Sequence, residues 1–172
     1  MKIAVFFANG TEEIEALTPV DVLRRAGVEC DIVSVSGDMP IGSHNITVKA
    51  DKVIEQINID DYSGVVIPGG MPGAVNISNC EKAIELIKKM LDNGNLVSAI
   101  CASPAVVLAD NGLLGVSKAT CYPATPFIAS LGEKYTAKDV EIDKNVITAN
   151  GPKSAMAFSL AICEYLGVVP KF

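Results

Sequence analysis

The sequence predicts one doubly wound α/β domain with a mostly parallel sheet, and three observations carry that prediction. Apolar runs of strand length alternate with amphipathic segments of helix length. The runs are near-continuous in apolar residues rather than alternating, as strands covered on both faces require. Three marked stretches, "ANGTEE", "PGGMPG" and "ICASP", fall just after such runs, where sheets of this kind place their sites. The 172 residues contain no internal repeat, linker or low-complexity tract, so one domain spans 1–172.

In chain order, "KIAVFFA" (2–8) reads as the first buried strand. "TEEIEALTPVDVLRRAG" (11–27) reads as a helix with Thr11 as its cap, acids in the first turn, Arg24 and Arg25 in the last, and Gly27 as its stop. Ile14, Leu17 and Val20 form one apolar stripe, and Pro19 is expected to kink or divide the helix. "CDIVSVS" (30–36) is the next strand, and "PIGSHNITVKAD" (40–51) a small antiparallel excursion. "SGVVIPGG" (63–70) is a third buried strand ending in a Gly-rich turn. The amphipathic helix 81–94 carries Ile84, Ile87 and Leu91 on one face. "NLVSAI" (95–100) is a fourth buried strand. A helix capped by Ser103 with Pro104 at its first position follows. Strands near "SKATCY" and "NVITANG" and a closing helix "SAMAFSLAICEYLG" complete the chain.

Composition narrows the function classes. Apolar residues make up 49% and charged residues 20%, enough for a large core. A net charge of −6 without a basic run argues against nucleic acid or an anionic membrane as partner. The first residues are too short for a secretory signal and no apolar stretch is long enough to span a bilayer, so a cytoplasmic location is expected. The cysteines are Cys30, Cys80, Cys101, Cys121 and Cys163, an odd set with no C-x-x-C spacing. A disulfide framework or zinc site is not supported, and with His44 as the one histidine no histidine-based metal site is expected.

Cys101 stands between a buried strand and a helix start, two residues before the expected cap. Free cysteine is among the most buried residue types, so a space-filling thiol is one reading. The other is a reactive thiol, because unpaired backbone N–H groups at a helix start lower a thiol pKa. Glu15 heads the row Glu15, Pro19, Val22 and Ala26, otherwise apolar, near the end of the first strand. It reads either as a solvated acid complementing the helix dipole, like Glu12 and Glu13, or as a desolvated carboxyl that holds its proton more readily. Gly69 and Gly70 form a plain turn or let backbone N–H groups converge on an oxyanion. They match neither a dinucleotide fingerprint nor a phosphate-binding loop with its lysine. Cys163 reads as core, Cys121 lies in a "CYP" stretch expected near Cys101, and His44 reads as a surface residue.

The stretches "GTEEIEALTPVDVLRRAG", "VVIPGGMPGAVN", "AICASPAVVLA" and "NGPKSAMAFSLAICEYL", in this order, resemble the ThiJ/PfpI superfamily, and within it the branch of the parkinsonism-associated protein deglycase. The resemblance implies a flavodoxin-like domain of the class I glutamine amidotransferase-like kind, a homodimer and no cofactor. It implies that Cys101 is a reactive, oxidation-prone cysteine and that Glu15 hydrogen-bonds its sulfur. It also implies that N–H groups around Gly69, Gly70 and Ala102 form an oxyanion or sulfinate pocket. Glyoxalase or deglycase chemistry on a small carbonyl such as methylglyoxal follows, with a redox-responsive stress sensor or chaperone as the alternative. Two departures stand out. Ala102 replaces the histidine that follows the cysteine in the protease-like branch, which disfavours a cysteine peptidase. Tyr122 in "TCYPAT" stands where deglycase relatives carry a histidine, and His44 falls where relatives carry a basic residue that reaches the partner's site.

Overall fold

A computed structural model describes residues 1–172. It contains seven strands: β1 (Lys2–Phe7), β2 (Glu29–Ser34), β3 (Lys52–Val53), β4 (Gly64–Ile67), β5 (Leu96–Ile100), β6 (Val140–Asp143) and β7 (Val146–Ala149). Five α-helices accompany them: α1 (Glu13–Arg25), α2 (Gly73–Ser78), α3 (Glu81–Asp92), α4 (Thr125–Leu131) and α5 (Ala155–Leu166). The strand order is β3-β2-β1-β4-β5-β7-β6, and every pair is parallel except β6 with β7.

The near-continuous apolar strands have the physical cause the sequence suggests. In β1, Ile3, Val5 and Phe7 face a core shared with α1 and α5, while Ala4 and Phe6 face one shared with α2, α3 and α4. The period-2 alternation of a strand therefore buries both faces. Phe6 and Phe7 are fully buried, and each contributes roughly 1.5–3 kcal/mol by leaving water. In β5 the buried Ser98 is kept from costing stability by donating to the Val65 carbonyl oxygen at 2.9 Å.

Several elements differ from the sequence expectation. Thr11 does not cap α1: its Oγ1 accepts from the Ala8 N–H, and Glu12 is the cap, its Oε2 accepting from the Glu15 N–H at 2.9 Å. Pro19 is buried inside α1 without dividing it. Ile14, expected on the apolar stripe, is 53% exposed; the buried face runs through Glu15, Ala16, Pro19, Val20, Val22 and Leu23. The excursion at 40–51 is reduced to a single antiparallel bridge, Ile41 with Thr47. The segment after Ser103 is a six-residue π-type turn, Pro104–Ala109, rather than an α-helix. Ser103 does not cap it, because its hydroxyl donates to the Pro68 carbonyl oxygen at 2.5 Å. The strand expected near "SKATCY" is one bridge, Ala119 with Tyr135, since the Thr120 N–H is taken by Thr148 Oγ1.

Candidate active site

The three central strands β1, β4 and β5 end side by side, and each delivers one part of the site. β1 leads into the first turn of α1 and carries Glu15. β4 leads into Gly69 and Gly70. β5 leads into Cys101. This is the crevice beyond the strand carboxyl ends where doubly wound sheets bind ligands.

Cys101 extends the β5–β7 ladder by one bond, its N–H donating to the Ala149 carbonyl oxygen at 2.9 Å. Its φ is then +64°, a left-handed conformation uncommon for a residue with a Cβ. The chain turns there, leaving the side chain partly exposed between the strand end and the π-type turn. Strain of this kind is stored at functional turns when the surroundings over-determine it. The Cys101 carbonyl oxygen accepts from the Tyr122 N–H at 2.8 Å, so both backbone groups of the turn are tied down.

Glu15 is fully buried beneath this turn. Gly69 N–H donates to its Oε2 at 2.8 Å, whereas its Oε1 is buried without a hydrogen-bond partner. Gly69 is required by space: a Cβ there would stand 2.6 Å from Cys101 Cβ and 2.7 Å from Glu15 Oε2. A side chain at this position would wedge the carboxyl and the thiol apart. Gly70, at φ +89°, turns the chain so that its N–H and that of Ala102 act on the Cys101 sulfur. Neither N–H has a backbone acceptor.

The electrostatics follow from this packing. Burial pushes the Glu15 carboxyl up to about 7, against the Cys101 thiol and the Gly69 N–H, which favour its charged form; the Glu12 charge adds to the upward push. Burial also pushes the Cys101 thiol well above the usual cysteine range, and the neighbouring Glu15 carboxylate pushes it further. The N–H groups of Gly70 and Ala102 pull the other way without prevailing. The lowered thiol pKa expected from the turn is thus reversed, because the sulfur is desolvated and, in addition, an acid sits beside it. Cys101 and Glu15 form one coupled unit in which a proton on either partner eases the charge on the other.

The other residues singled out from the sequence are placed as follows. Tyr122 is 46% exposed and lines an open cavity of about 440 Å³ together with Asp139, Asn150 and Lys153; its hydroxyl makes no hydrogen bond. The cavity adjoins the cysteine turn through the Tyr122 N–H and through Asn150, which follows the residue that accepts from Cys101. Sequence reasoning did not single out Lys153 or Asn150, since only the fold brings residues 122 and 150–154 together. His44 is exposed and bonded to Glu13, not to the cysteine. Cys30, Cys121 and Cys163 are buried; desolvation pushes Cys121 up to about 11, an inert thiol.

Comparison with known proteins agrees with this arrangement. The DJ-1/PfpI family matches residues 1–165. Protein DJ-1 homolog B of Arabidopsis thaliana is 36% identical over 168 residues, 96% of this chain, and homolog A is 37% identical over 164. The chain spans only 38% and 42% of the length of those two proteins. The Parkinson disease protein 7 homolog of Danio rerio is 35% identical, with 94% of this chain covering 87% of that one. Among solved structures, oxidized Toxoplasma gondii DJ-1 has a TM-score of 0.92 at 38% identity, covering 96% of this chain and 90% of that chain. Drosophila melanogaster DJ-1beta has a TM-score of 0.90 at 32% identity, covering 96% and 89%. No helix is long and apolar enough to cross a membrane. With a sheet of this order, a cysteine at its central turn and matches along nearly all of its length, the chain belongs to the DJ-1/PfpI family.

Proposed function

We propose that the protein is a cofactor-independent cysteine enzyme acting on small reactive carbonyls, of the glyoxalase or deglycase type. The observation that carries this reading is the pairing of Cys101 with a buried Glu15 whose pKa lies near neutrality. A carboxyl poised there is both a usable base and a usable acid. As the sulfur attacks the aldehyde carbon of methylglyoxal, Glu15 takes the thiol proton, which compensates for the raised thiol. The oxyanion that forms is met by the Gly70 and Ala102 N–H groups and is protonated to the hemithioacetal. Glu15 then removes the proton from the former aldehyde carbon, and a proton is returned at the neighbouring carbon. The product is a lactoyl thioester on Cys101. Water cleaves it, releasing lactate and the free thiol. The sum is methylglyoxal plus water giving lactate, with no external oxidant or reductant.

The test is lactate formation from methylglyoxal by the wild type, Cys101→Ser and Glu15→Gln. We expect Cys101→Ser to lose turnover by about 10³-fold or more. For the wild type, kcat/KM is expected to rise with pH through about 7 as Glu15 ionises. Absence of Cys101-dependent turnover, whether the wild type makes no lactate or Cys101→Ser makes as much, refutes the cysteine-enzyme reading.

A second reading has its own support. The buried, unpartnered Oε1 of Glu15 would find a partner in the oxygen of an oxidised Cys101, and a relative of this fold is described as oxidized. In that reading two equivalents of peroxide convert the thiol to sulfinic acid, and oxidation changes the state of the protein rather than turning over substrate. Intact-mass detection of a dioxygenated Cys101 at low peroxide, without lactate formation, selects it. We also infer a homodimer, in line with the resemblance to the family; light scattering checks it.

A further inference from the structure

The first turn of α1 and the loop after β2 bring three metal-ligating side chains to one point outside the cysteine site. Glu12, Glu13 and His44 each present a donor atom there, and the three atoms lie within 4.8 Å of one another. His44 Nδ1 stands 3.0 Å from Glu13 Oε2 and 3.7 Å from Glu12 Oε1. A metal that holds nitrogen and oxygen at about 2.1 Å, in octahedral or tetrahedral geometry, separates neighbouring ligand atoms by about 3.0–3.4 Å. The two distances from the imidazole span that range and the third separation lies within 4.8 Å, so side-chain adjustments of about an ångström bring the three donors to one ion.

The orientation of the carboxylates points the same way. Glu12 Oε2 is occupied by the Glu15 N–H at 2.9 Å, and Glu13 Oε1 by the His44 N–H at 2.8 Å. Glu12 is pinned by one oxygen and offers the other, while Glu13 Oε2 and His44 Nδ1 share the Ser43 hydroxyl, at 3.4 and 3.1 Å, which a metal would displace or leave as an outer partner orienting its ligands. An ordinary surface pair between His44 and Glu13 explains the 3.0 Å contact. It does not explain Glu12, which is only 9% exposed yet turns Oε1 toward the same nitrogen without receiving a hydrogen bond. A cavity of about 210 Å³, lined by these three residues with Ile14 and Ile46, leaves room for water ligands. The positive end of the α1 dipole opposes a cation here, but it amounts to about half a charge against two carboxylates.

We propose that Glu12, Glu13 and His44 bind one divalent transition-metal ion of the borderline class, such as Zn²⁺, with water completing the coordination. The imidazole disfavours Mg²⁺ and Ca²⁺, which take oxygen ligands. No sequence pattern announces the site, because His44 lies 31 residues from Glu13 and meets it only in the fold.

The experiment is a Zn²⁺ titration by calorimetry of reduced protein, carried out in the wild type, in Cys101→Ser to remove the exposed thiol, and in His44→Gln. The His44 side chain is 71% exposed, so the last variant folds. Its conservative amide removes the nitrogen ligand. The expected result is one Zn²⁺ per chain, retained in Cys101→Ser and weakened about tenfold or more in His44→Gln. Because the chain has a single histidine, its imidazole NMR resonances report the site directly and are expected to shift until one equivalent is bound. An isotherm unchanged in His44→Gln, binding lost only in Cys101→Ser, or imidazole resonances unmoved at one equivalent would each overturn the proposal. None of these outcomes bears on carbonyl turnover at Cys101.

Discussion

Glu13 and Glu15 stand two residues apart in the same turn of α1, both buried, and they are driven in opposite directions. Burial pushes each carboxyl up. At Glu15 the opposition is slight, the Cys101 thiol and the Gly69 N–H, and the group rises to about 7. At Glu13 burial is outweighed by its own N–H, by the His44 N–H and ring and by the Ile46 N–H, and the group falls below the usual carboxylate value. Gly42 makes room for this cradle, since a Cβ there would overlap the Glu13 carboxylate. The balance between desolvation and the number of donors decides which acid anchors a loop and which keeps a mobile proton.

The largest effect that separates the two is on turnover. Glu15→Gln is expected to lower kcat/KM for methylglyoxal by about 10²–10⁴-fold, the usual worth of a general base. Glu13→Gln, compared at equal folded concentration, is expected to stay within a few-fold. Equal losses would erase the distinction. The next effect is on stability. A carboxyl whose folded pKa is raised destabilises the fold once ionised, so stability is lost as pH climbs from about 4.5 to about 7. Glu15→Gln, which still accepts from Gly69 N–H, is therefore expected to exceed the wild type by about 2–3 kcal/mol at pH 8 and to match it near pH 4.5. Urea unfolding at the two pH values measures this. A gain that does not depend on pH would mean that Glu15 is not held near neutrality.

The contrast also marks what the sequence could reveal. β1 and β5 are legible because continuous apolar runs have one physical meaning in a sheet covered on both faces. The two-residue β3 and the short α2 carry no period to read, and β6 is a half-exposed edge strand. Cys101, Glu15, Gly69 and Gly70 could be picked out because each follows a central strand, and the resemblance gave them roles. The direction of the Cys101 shift could not, because it depends on how deeply the turn is buried and on the neighbouring Glu15 charge. The Glu13–His44 contact was invisible for a different reason: it rests on the path of a loop that forms one bridge instead of a hairpin.

Smaller effects test the anchor. Glu13→Ala strips the acceptors from the His44 and Ile46 N–H groups and is expected to cost about 1–3 kcal/mol at neutral pH, read from urea unfolding. The sign of its pH dependence is opposite to that of Glu15. A depressed carboxyl contributes stability above its unfolded pKa, near 4.5, and loses it as pH falls through the lower folded value. The penalty of Glu13→Ala should therefore shrink in acid.

The smallest expected effect, and the sharpest for the comparison, belongs to His44→Gln in chelator-treated buffer. The imidazole is mostly exposed, and Glu13 keeps its backbone donors when the ring is gone. A change within about 0.5 kcal/mol is expected, the range of exposed ion pairs and surface substitutions. A loss approaching that of Glu13→Ala would show that the ring, rather than the backbone, holds the carboxylate down. The two acids would then differ by a single side-chain partner, and the loop's N–H groups would have to be counted as consequences of that pairing instead of its cause.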